Sequence, residues 1–123
     1  MTVAPSCPVL VVHDDDVFRK SLIAELDQRH FTVTFAPDGD EAVRLLGERK
    51  FRVVLVGLDL ARQKGTTVLE RLRETRDKNC GVIILGDPHP EVRKAAPWAD
   101  ETLLKPVDAS WVATRAQQYC NCG

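Results

Sequence analysis

Charged side chains follow three apolar runs of this chain, where they could hold a cation or neutralise each other. His13, Asp14 and Asp15 follow the first of these runs, Asp59 follows another, and Lys105 follows the last. Because Mg²⁺ takes near-octahedral oxygen ligands, the aspartates Asp14, Asp15 and Asp59 are the candidate metal ligands. Opposite charges at short range stabilise each other's ionised forms, so where the fold brings these strand ends together we predict a direct contact between Asp14 and Lys105.

Glycine ends two of the apolar runs and limits the chemistry that these charges can do. Gly57 and Gly86 stand there and bring no side-chain oxygen. Neither position therefore supplies a nucleophile or a side-chain metal ligand, and we expect at best weak Mg²⁺ binding and no other cofactor. His13 and Asp14 are too few to make a site for a softer divalent ion. Since no nucleophile is paired with a base, we predict no catalytic residues and no enzymatic activity.

Five short apolar runs alternate with five segments of helical periodicity. Three runs are unbroken and β-branched, which is typical of central parallel strands, whereas the second alternates as a half-exposed edge strand does. In the helical segments, apolar residues recur every three or four positions. The predicted strands are Val9–Val12, Phe31–Phe35, Val53–Val56, Val82–Leu85 and Thr102–Leu104. The predicted helices are Val17–Arg29, Asp40–Arg49, Gly65–Arg73, Glu91–Ala96 and Ala109–Tyr119.

This alternation predicts a single α/β domain in which helices cover both faces of a parallel sheet. We place the domain over residues 1–123, with a loose N-terminus at 1–7 and a loose C-terminal tail at 120–123. In such a doubly wound fold, ligands bind beyond the carboxyl ends of the strands. The residues that close the strands therefore form the candidate site.

The balanced charge of the chain argues against several classes of function. Its 123 residues include 17 basic and 18 acidic side chains, for a formal net charge of -1 at pH 7. No broad positive field would draw this domain to nucleic acid or to an anionic membrane, so we expect neither as a partner. The N-terminal residues lack the pattern of a signal peptide, and we expect a cytoplasmic protein.

Four cysteines could in principle form disulfides: Cys7, Cys80, Cys120 and Cys122. Without a secretory signal, we expect all four to be reduced thiols. Cys120 and Cys122 are closely spaced, but a closed zinc site needs four ligands and no histidine lies at matching spacing. The pair is better explained as part of the loose C-terminal tail.

Five motif-bearing segments follow one another in a fixed order: Val9–Asp15, Phe18–Leu22, Pro37–Ala42, Phe51–Gly65 and Trp98–Val107. The first ends in an acidic cluster, and the last contains Lys105-Pro106. Together they resemble the response-regulator receiver domain, the CheY-like family. The resemblance implies a flavodoxin-like, doubly wound (βα)5 fold with a five-stranded parallel sheet in the order 2-1-3-4-5.

The resemblance also assigns the residues of a phosphorylation site. Receivers accept a phosphoryl group on their own aspartate, assisted by acidic Mg²⁺ ligands, a hydroxyl residue after the fourth strand and a lysine after the fifth. By position, the acidic pair falls on His13 and Asp14, the acceptor on Gly57, the hydroxyl residue on Gly86 and the lysine on Lys105. Only Asp14 and Lys105 keep the family's residue type.

Two further positions bear on this vestigial phosphorylation site. The aromatic residue that usually couples phosphorylation to the output face falls on Thr102. Asp59 matches a position whose backbone carbonyl helps to bind metal, and counting back from Gly65 places the acceptor at Gly57 instead. The resemblance thus implies a degenerate pseudo-receiver that lacks the phosphoacceptor aspartate.

Two tryptophans near the end of the chain indicate a protein-binding surface. Trp98 and Trp111 fall where the family tends to keep a small residue and an exposed one, and large aromatics are enriched at interfaces. Receivers commonly bind partners through the fourth helix, the fifth strand and the fifth helix, so we place the partner face at Trp98, Thr102, Trp111 and Arg115. We expect a monomer or weak homodimer that binds a protein partner. Asp108 is the predicted N-cap of the last helix.

These observations predict an atypical receiver of two-component or phosphorelay signalling that acts by phosphorylation-independent protein contact. One alternative is a receiver that is still phosphorylated, on a displaced acceptor at Asp59 or Asp15. Another is a small-ligand or metal-binding module in the pocket that Gly57 and Gly86 leave vacant.

Overall fold

Five parallel strands form one sheet. The computed structural model describes residues 7–12, 16–37, 39–58, 70, 73–74, 80–86, 99–104 and 108–121. The strand order is β2-β1-β3-β4-β5, which confirms the predicted order. The strands are β1 (Cys7–Val12), β2 (Phe31–Ala36), β3 (Val53–Leu58), β4 (Gly81–Gly86) and β5 (Glu101–Leu104).

Three helices are described in full, and each matches a predicted one closely. They are α1 (Asp16–Gln28), α2 (Gly39–Glu48) and α3 (Ala109–Asn121). Glu70, Arg73 and Glu74 are also helical, and the rest of the predicted helix Gly65–Arg73 lies outside the described residues. The predicted helix Glu91–Ala96 lies outside them as well.

The two faces of the sheet bury separate hydrophobic clusters, because successive strand residues point to opposite sides. Leu10 and Val12 of β1 face a cluster that includes Leu45 of α2. Val9 and Val11 face the other cluster, to which α1 and α3 contribute. The α1 and α3 side chains in that cluster are Leu22, Leu26, Ala109, Val112, Ala113 and Ala116. Helices on both faces complete the doubly wound architecture.

Burial follows the position of each strand in the sheet. Val9–Val12, Val53–Val56 and all of β4 are buried, as expected for central strands that are covered on both faces. β2 lies at one edge and is buried only at Phe31 and Ala36. The unbroken and alternating apolar patterns therefore distinguished the central strands from this edge strand.

Some of the residues that the sequence assigned to loose ends belong to regular elements. Cys7 pairs with Phe31 as the first residue of β1, and α3 continues through Asn121, so neither belongs to a loose end. Cys7 is disulfide-bonded, and the prediction that all four cysteines are reduced is therefore wrong. A disulfide depends on which cysteines the fold places within bonding distance, and the sequence context alone does not give that. Within the ranges given above, every helix is too short or too polar to span a lipid bilayer.

Candidate functional site

Gly57 and Gly86 lie on neighbouring strands at the carboxyl edge of the sheet. Gly57 is opposite Leu85, and the next residue of β3, Leu58, is opposite Gly86. Gly57 is partly exposed, whereas Gly86 is buried. The structure thus brings together the two positions that the resemblance assigns to the phosphoacceptor and to the hydroxyl residue. Neither position has a side chain that could accept or bind a phosphoryl group.

The charged members of the candidate site adjoin this same edge in sequence. His13, Asp14 and Asp15 follow Val12, which pairs with Val56 of β3. Asp59 directly follows β3. All four, together with Lys105, lie outside the described residues, and so does the predicted contact between Asp14 and Lys105. The part of the chain that is described contains no group of three or more side chains suited to hold a metal ion.

Thr102 lies deeper in the sheet than the two glycines. It is opposite Ile84 on β4, two residues before the level of Gly86, and it is partly buried. A threonine here has neither the size nor the ring that the resemblance expects at this position. Thr102 is therefore an ordinary, partly buried strand residue, and it lacks the large ring that could switch between an inward and an outward orientation.

Asp100 fixes the start of β5, a role that the sequence did not reveal. Its carboxylate Oδ2 accepts a hydrogen bond from the backbone N–H of Val82 at 2.8 Å. Its own N–H donates to the carbonyl of Val82 at 3.0 Å. These bonds extend the β4–β5 pairing by one residue beyond Ile83 and Glu101, and so set the register of the strand that carries Thr102.

Trp111 and Arg115 form an exposed surface on α3 beside β5. Trp111 keeps 51% of its surface exposed, and the guanidinium of Arg115 lies 5.7 Å from the centre of its ring. Arg115 also forms a salt bridge with Glu101 of β5, in which Nε donates to Oε2 at 3.0 Å. This partly buried ion pair holds the guanidinium in place beside the tryptophan. Trp98, the remaining member of the predicted partner face, lies outside the described residues.

The cap of α3 agrees with the sequence prediction. The Asp108 carboxylate Oδ1 accepts a hydrogen bond from the N–H of Ser110 at 3.1 Å, as an N-cap residue does. The carbonyl of Asp108 accepts the first helical bond, from Val112, at 3.0 Å. A defined start fixes the rotation of the helix, so Val112 faces the core while Trp111 faces outward.

Arg29 connects α1 to α3 on the opposite flank of that helix. Its Nη1 donates to the carboxylate of Glu25 at 2.7 Å, and its Nη2 lies 3.4 Å from the Ser110 hydroxyl and 3.5 Å from that of Thr114. Neither this bridge nor the pair between Glu101 and Arg115 was predicted. The first joins residues 81 positions apart and the second joins residues 14 positions apart on two successive elements, so no spacing within one element could have indicated them.

Comparison with curated proteins gives a relative that matches most of this chain. The transcriptional regulatory protein SrrA of Staphylococcus aureus is 30% identical to this chain over 112 residues. The match covers 89% of this chain and 46% of the relative. The chain therefore spans about half the length of the curated relatives that it matches.

Solved receiver structures share the whole fold. The signal receiver domain of an HD domain-containing protein from Pseudomonas fluorescens is 25% identical, with a TM-score of 0.82 and coverage of 99% of this chain and 92% of the other. A Burkholderia pseudomallei response regulator with a phosphorylated aspartic acid is 25% identical, with a TM-score of 0.76 and coverage of 92% and 72%. The family described as "Response regulator receiver domain" matches residues 9–117. With its sheet order and these relatives, the chain belongs to the response-regulator receiver domain family.

Proposed function

We propose that this receiver domain of two-component signalling acts by protein contact and is not phosphorylated at its third strand. The observation that carries the proposal is the position of Gly57, one residue before the end of β3 at the carboxyl edge of the sheet. An acceptor there must supply an oxygen nucleophile, and glycine has none. Phosphoryl transfer to the third strand, the reaction that defines most receivers, therefore has no accepting oxygen at this position.

The neighbouring positions support the same proposal. Phosphoryl transfer depends on placing the nucleophile, the metal and the cation around the transferred group. Gly86 offers no hydroxyl to hold a phosphoryl oxygen, and Thr102 offers no aromatic ring to respond to one. A domain that is not phosphorylated needs neither the hydroxyl nor the aromatic ring, because it binds its partner through a surface that phosphorylation does not change.

The proposed partner face is the surface that Trp111, Arg115 and Glu101 make across α3 and β5. A half-exposed tryptophan offers a large apolar area at a small entropic cost, and tryptophan and arginine are the residues most enriched at energetic centres of interfaces. The salt bridge to Glu101 orders Arg115 before any partner arrives. Such preorganisation reduces the entropy that binding must spend on these side chains.

The curated relative SrrA is a transcriptional regulatory protein, and this chain spans about half of its length. The proposal accordingly concerns the receiver part of a signalling protein. We assign it no catalytic residue, no bound nucleic acid and a protein partner.

We predict that a small phosphodonor will not modify the domain. Incubation with acetyl phosphate and Mg²⁺, followed by intact mass measurement under conditions that preserve acyl phosphates, should give only the unmodified mass. The reason is the absence of an oxygen nucleophile at Gly57. A receiver that has its acceptor aspartate serves as the positive control in the same buffer.

The same experiment separates the proposal from a displaced acceptor. A stoichiometric adduct would contradict it, and peptide mapping would then assign the phosphoryl group to Asp59, Asp15 or Asp14. An Asp59→Asn variant provides a matched control, since it removes one displaced acceptor and keeps the side chain nearly the same size. An adduct that is lost in this variant would assign the phosphoryl group to Asp59.

We predict that Trp111→Ala will weaken partner binding by about tenfold or more, which corresponds to the loss of a central interface residue. The free energy of unfolding should change by no more than about 1 kcal/mol, because the ring is half exposed and its contact with Arg115 is a weak cation–π interaction. Quantitative pull-down with the immobilised domain measures the first effect, and urea denaturation measures the second.

Val17→Ala is the matched control for that measurement. Val17 is the other large hydrophobic side chain described as exposed, at 78%, and it lies at the start of α1, on a different element from the proposed face. This variant should retain full binding. Equal capture by the Trp111 variant and by the wild type would remove α3 from the partner face.

A further inference from the structure

The first strand carries a disulfide whose partner can be inferred. Cys7, the first residue of β1, is disulfide-bonded. The chain has four cysteines, and the buried Cys80 is a free thiol. The other half of the bond is therefore Cys120 or Cys122, at the opposite end of the sequence.

The end of α3 returns to the edge of the sheet at which β1 begins. Tyr119 packs against Gly81, the first residue of β4. In the sheet, Gly81 is paired with Val53 of β3, and Val53 is paired in turn with Val9 of β1. Cys7 lies only two residues before Val9, and both Cys7 and Tyr119 pack against the same core cluster. The last turn of α3 and the start of β1 thus lie at the same edge of the sheet and pack on the same cluster.

Helical spacing selects between the two remaining cysteines. Residue 120 follows Ala116 by four positions and Val112 by eight, and both of these residues are fully buried. By spacing, position 120 continues the helical stripe that these two buried residues define. Residue 122 comes after the last helical residue, Asn121.

We propose that Cys7 and Cys120 form a reversible thiol–disulfide site that fastens the end of α3 to β1 and is opened by low-molecular-weight thiols such as glutathione. The proposal concerns a covalent modification of the domain, and it holds whether or not the domain is phosphorylated. Cys7 is only partly buried, so its half of the bond is not sealed from solvent.

The reaction is a pair of thiol–disulfide exchanges. A glutathione thiolate attacks one sulfur, which forms a mixed disulfide and releases the other cysteine as a thiolate that takes up a proton. A second glutathione thiolate attacks the mixed disulfide at the glutathione sulfur and releases the remaining cysteine. Two glutathione molecules are oxidised to glutathione disulfide, and the protein disulfide is reduced to two thiols. The reverse reaction, with glutathione disulfide as oxidant, closes the site.

Closing this bond constrains nearly the whole chain, since it joins the first strand to the last helix. A cross-link that closes a long loop removes many conformations from the unfolded state and so stabilises the fold. Opening it should leave the sheet intact and release the last turn of α3 from the edge of the sheet. The redox state of the surroundings would then set the stability of the helix that carries Trp111.

Peptide mapping of the full chain without reductant tests the assignment. Trypsin should yield residues 1–19 linked to residues 116–123, while Cys80 remains in a separate, unlinked peptide. Fragmentation of the linked pair should place the bond before Asn121, at Cys120. Treatment with excess glutathione should abolish the linked species and lower the melting temperature of the wild type by several degrees.

Two serine variants complete the test. Cys122→Ser should keep both the linked peptides and the response to glutathione, whereas Cys120→Ser should lose both. Four free thiols in the untreated protein, a link that involves Cys80, or a link that survives in Cys120→Ser would overturn the assignment. A wild-type bond that resists excess glutathione would overturn its reversibility. The wild-type measurements decide these points even if a variant folds poorly.

Discussion

Replacing Gly81 with alanine should lower the free energy of unfolding by about 1–3 kcal/mol, the usual cost of overpacking a filled core. A Cβ at this position would lie 2.6 Å from Cδ1 and 2.7 Å from Cγ of Tyr119. Both distances are well inside van der Waals contact, so either the ring or the strand must move. Chemical denaturation with urea, followed by circular dichroism, measures the loss.

The clash cannot be relieved cheaply, because it involves the root of the tyrosine side chain. The added methyl would also lie 3.1 Å from Cβ of Tyr119, so rotating the ring does not clear the space. The end of α3 would have to shift away from β4, at the edge of the sheet where β1 begins. We therefore expect the variant to expose the last turn of α3 to faster hydrogen exchange than the rest of that helix.

Gly47→Ala is the matched control. Nothing lies within 4 Å of a Cβ at Gly47, which is in α2 and does not have a positive φ. Alanine is the better helix former, so this variant should be more stable than the wild type, by up to about 1 kcal/mol. If both alanine variants change stability in the same direction, the contact between Gly81 and Tyr119 is not what limits the size of residue 81.

The same contact predicts a coupling between the two positions. In a Tyr119→Ala background, the methyl group added at position 81 meets no ring, so Gly81→Ala should cost less than in the wild type. A double-mutant cycle reports that difference as an interaction free energy between residues in contact. Additive losses would contradict the clash as the cause.

The strands were predictable because their signal is local. Val9–Val12, Val53–Val56 and Val82–Leu85 are unbroken, β-branched runs, and each proved to be a buried central strand that extends by one or two residues at one or both ends. Alternation in the second run marked β2 as an edge strand, and the sheet order confirmed it. Periodicity similarly gave the start of α3 at Ala109, beside the capping Asp108.

The contacts between elements were not predictable in this way. Glu101 and Arg115 form a salt bridge from β5 to α3, and Arg29 reaches α3 from α1, yet each is an ordinary charged residue in the sequence. Cys7 shows the same limitation, because its disulfide depends on which other cysteine the packing brings close to it. Such contacts follow from how strands and helices pack, which hydrophobic periodicity alone does not specify.

The candidate site was predictable where it depends on the backbone. Counting from the strand motifs put Gly57 and Gly86 at neighbouring strand ends, and the pairing of Leu58 with Gly86 confirms that they adjoin. The functional consequence of the two glycines is chemical rather than positional, so incubation with a phosphodonor is the measurement that tests it.

Asp100→Ala should lower the free energy of unfolding by about 1–3 kcal/mol, the cost of leaving a buried hydrogen-bonding group without its partner. The group concerned is the backbone N–H of Val82, a fully buried residue whose bond to the Asp100 carboxylate is 2.8 Å long. Alanine keeps the backbone bond from residue 100 to Val82 but removes this acceptor. Urea denaturation should show the loss, and hydrogen exchange should show faster exchange of the Val82 amide.

Asp100→Asn distinguishes the acceptor from the charge. Asparagine retains a side-chain carbonyl oxygen in the same place, so this variant should keep most of the stability that alanine loses, and Val82 should remain protected. Because Glu101 and Thr102 follow directly on β5, the alanine variant should also loosen the ion pair with Arg115 and weaken partner binding. An equal loss in both variants would mean that the negative charge, rather than the hydrogen bond to Val82, holds the start of β5.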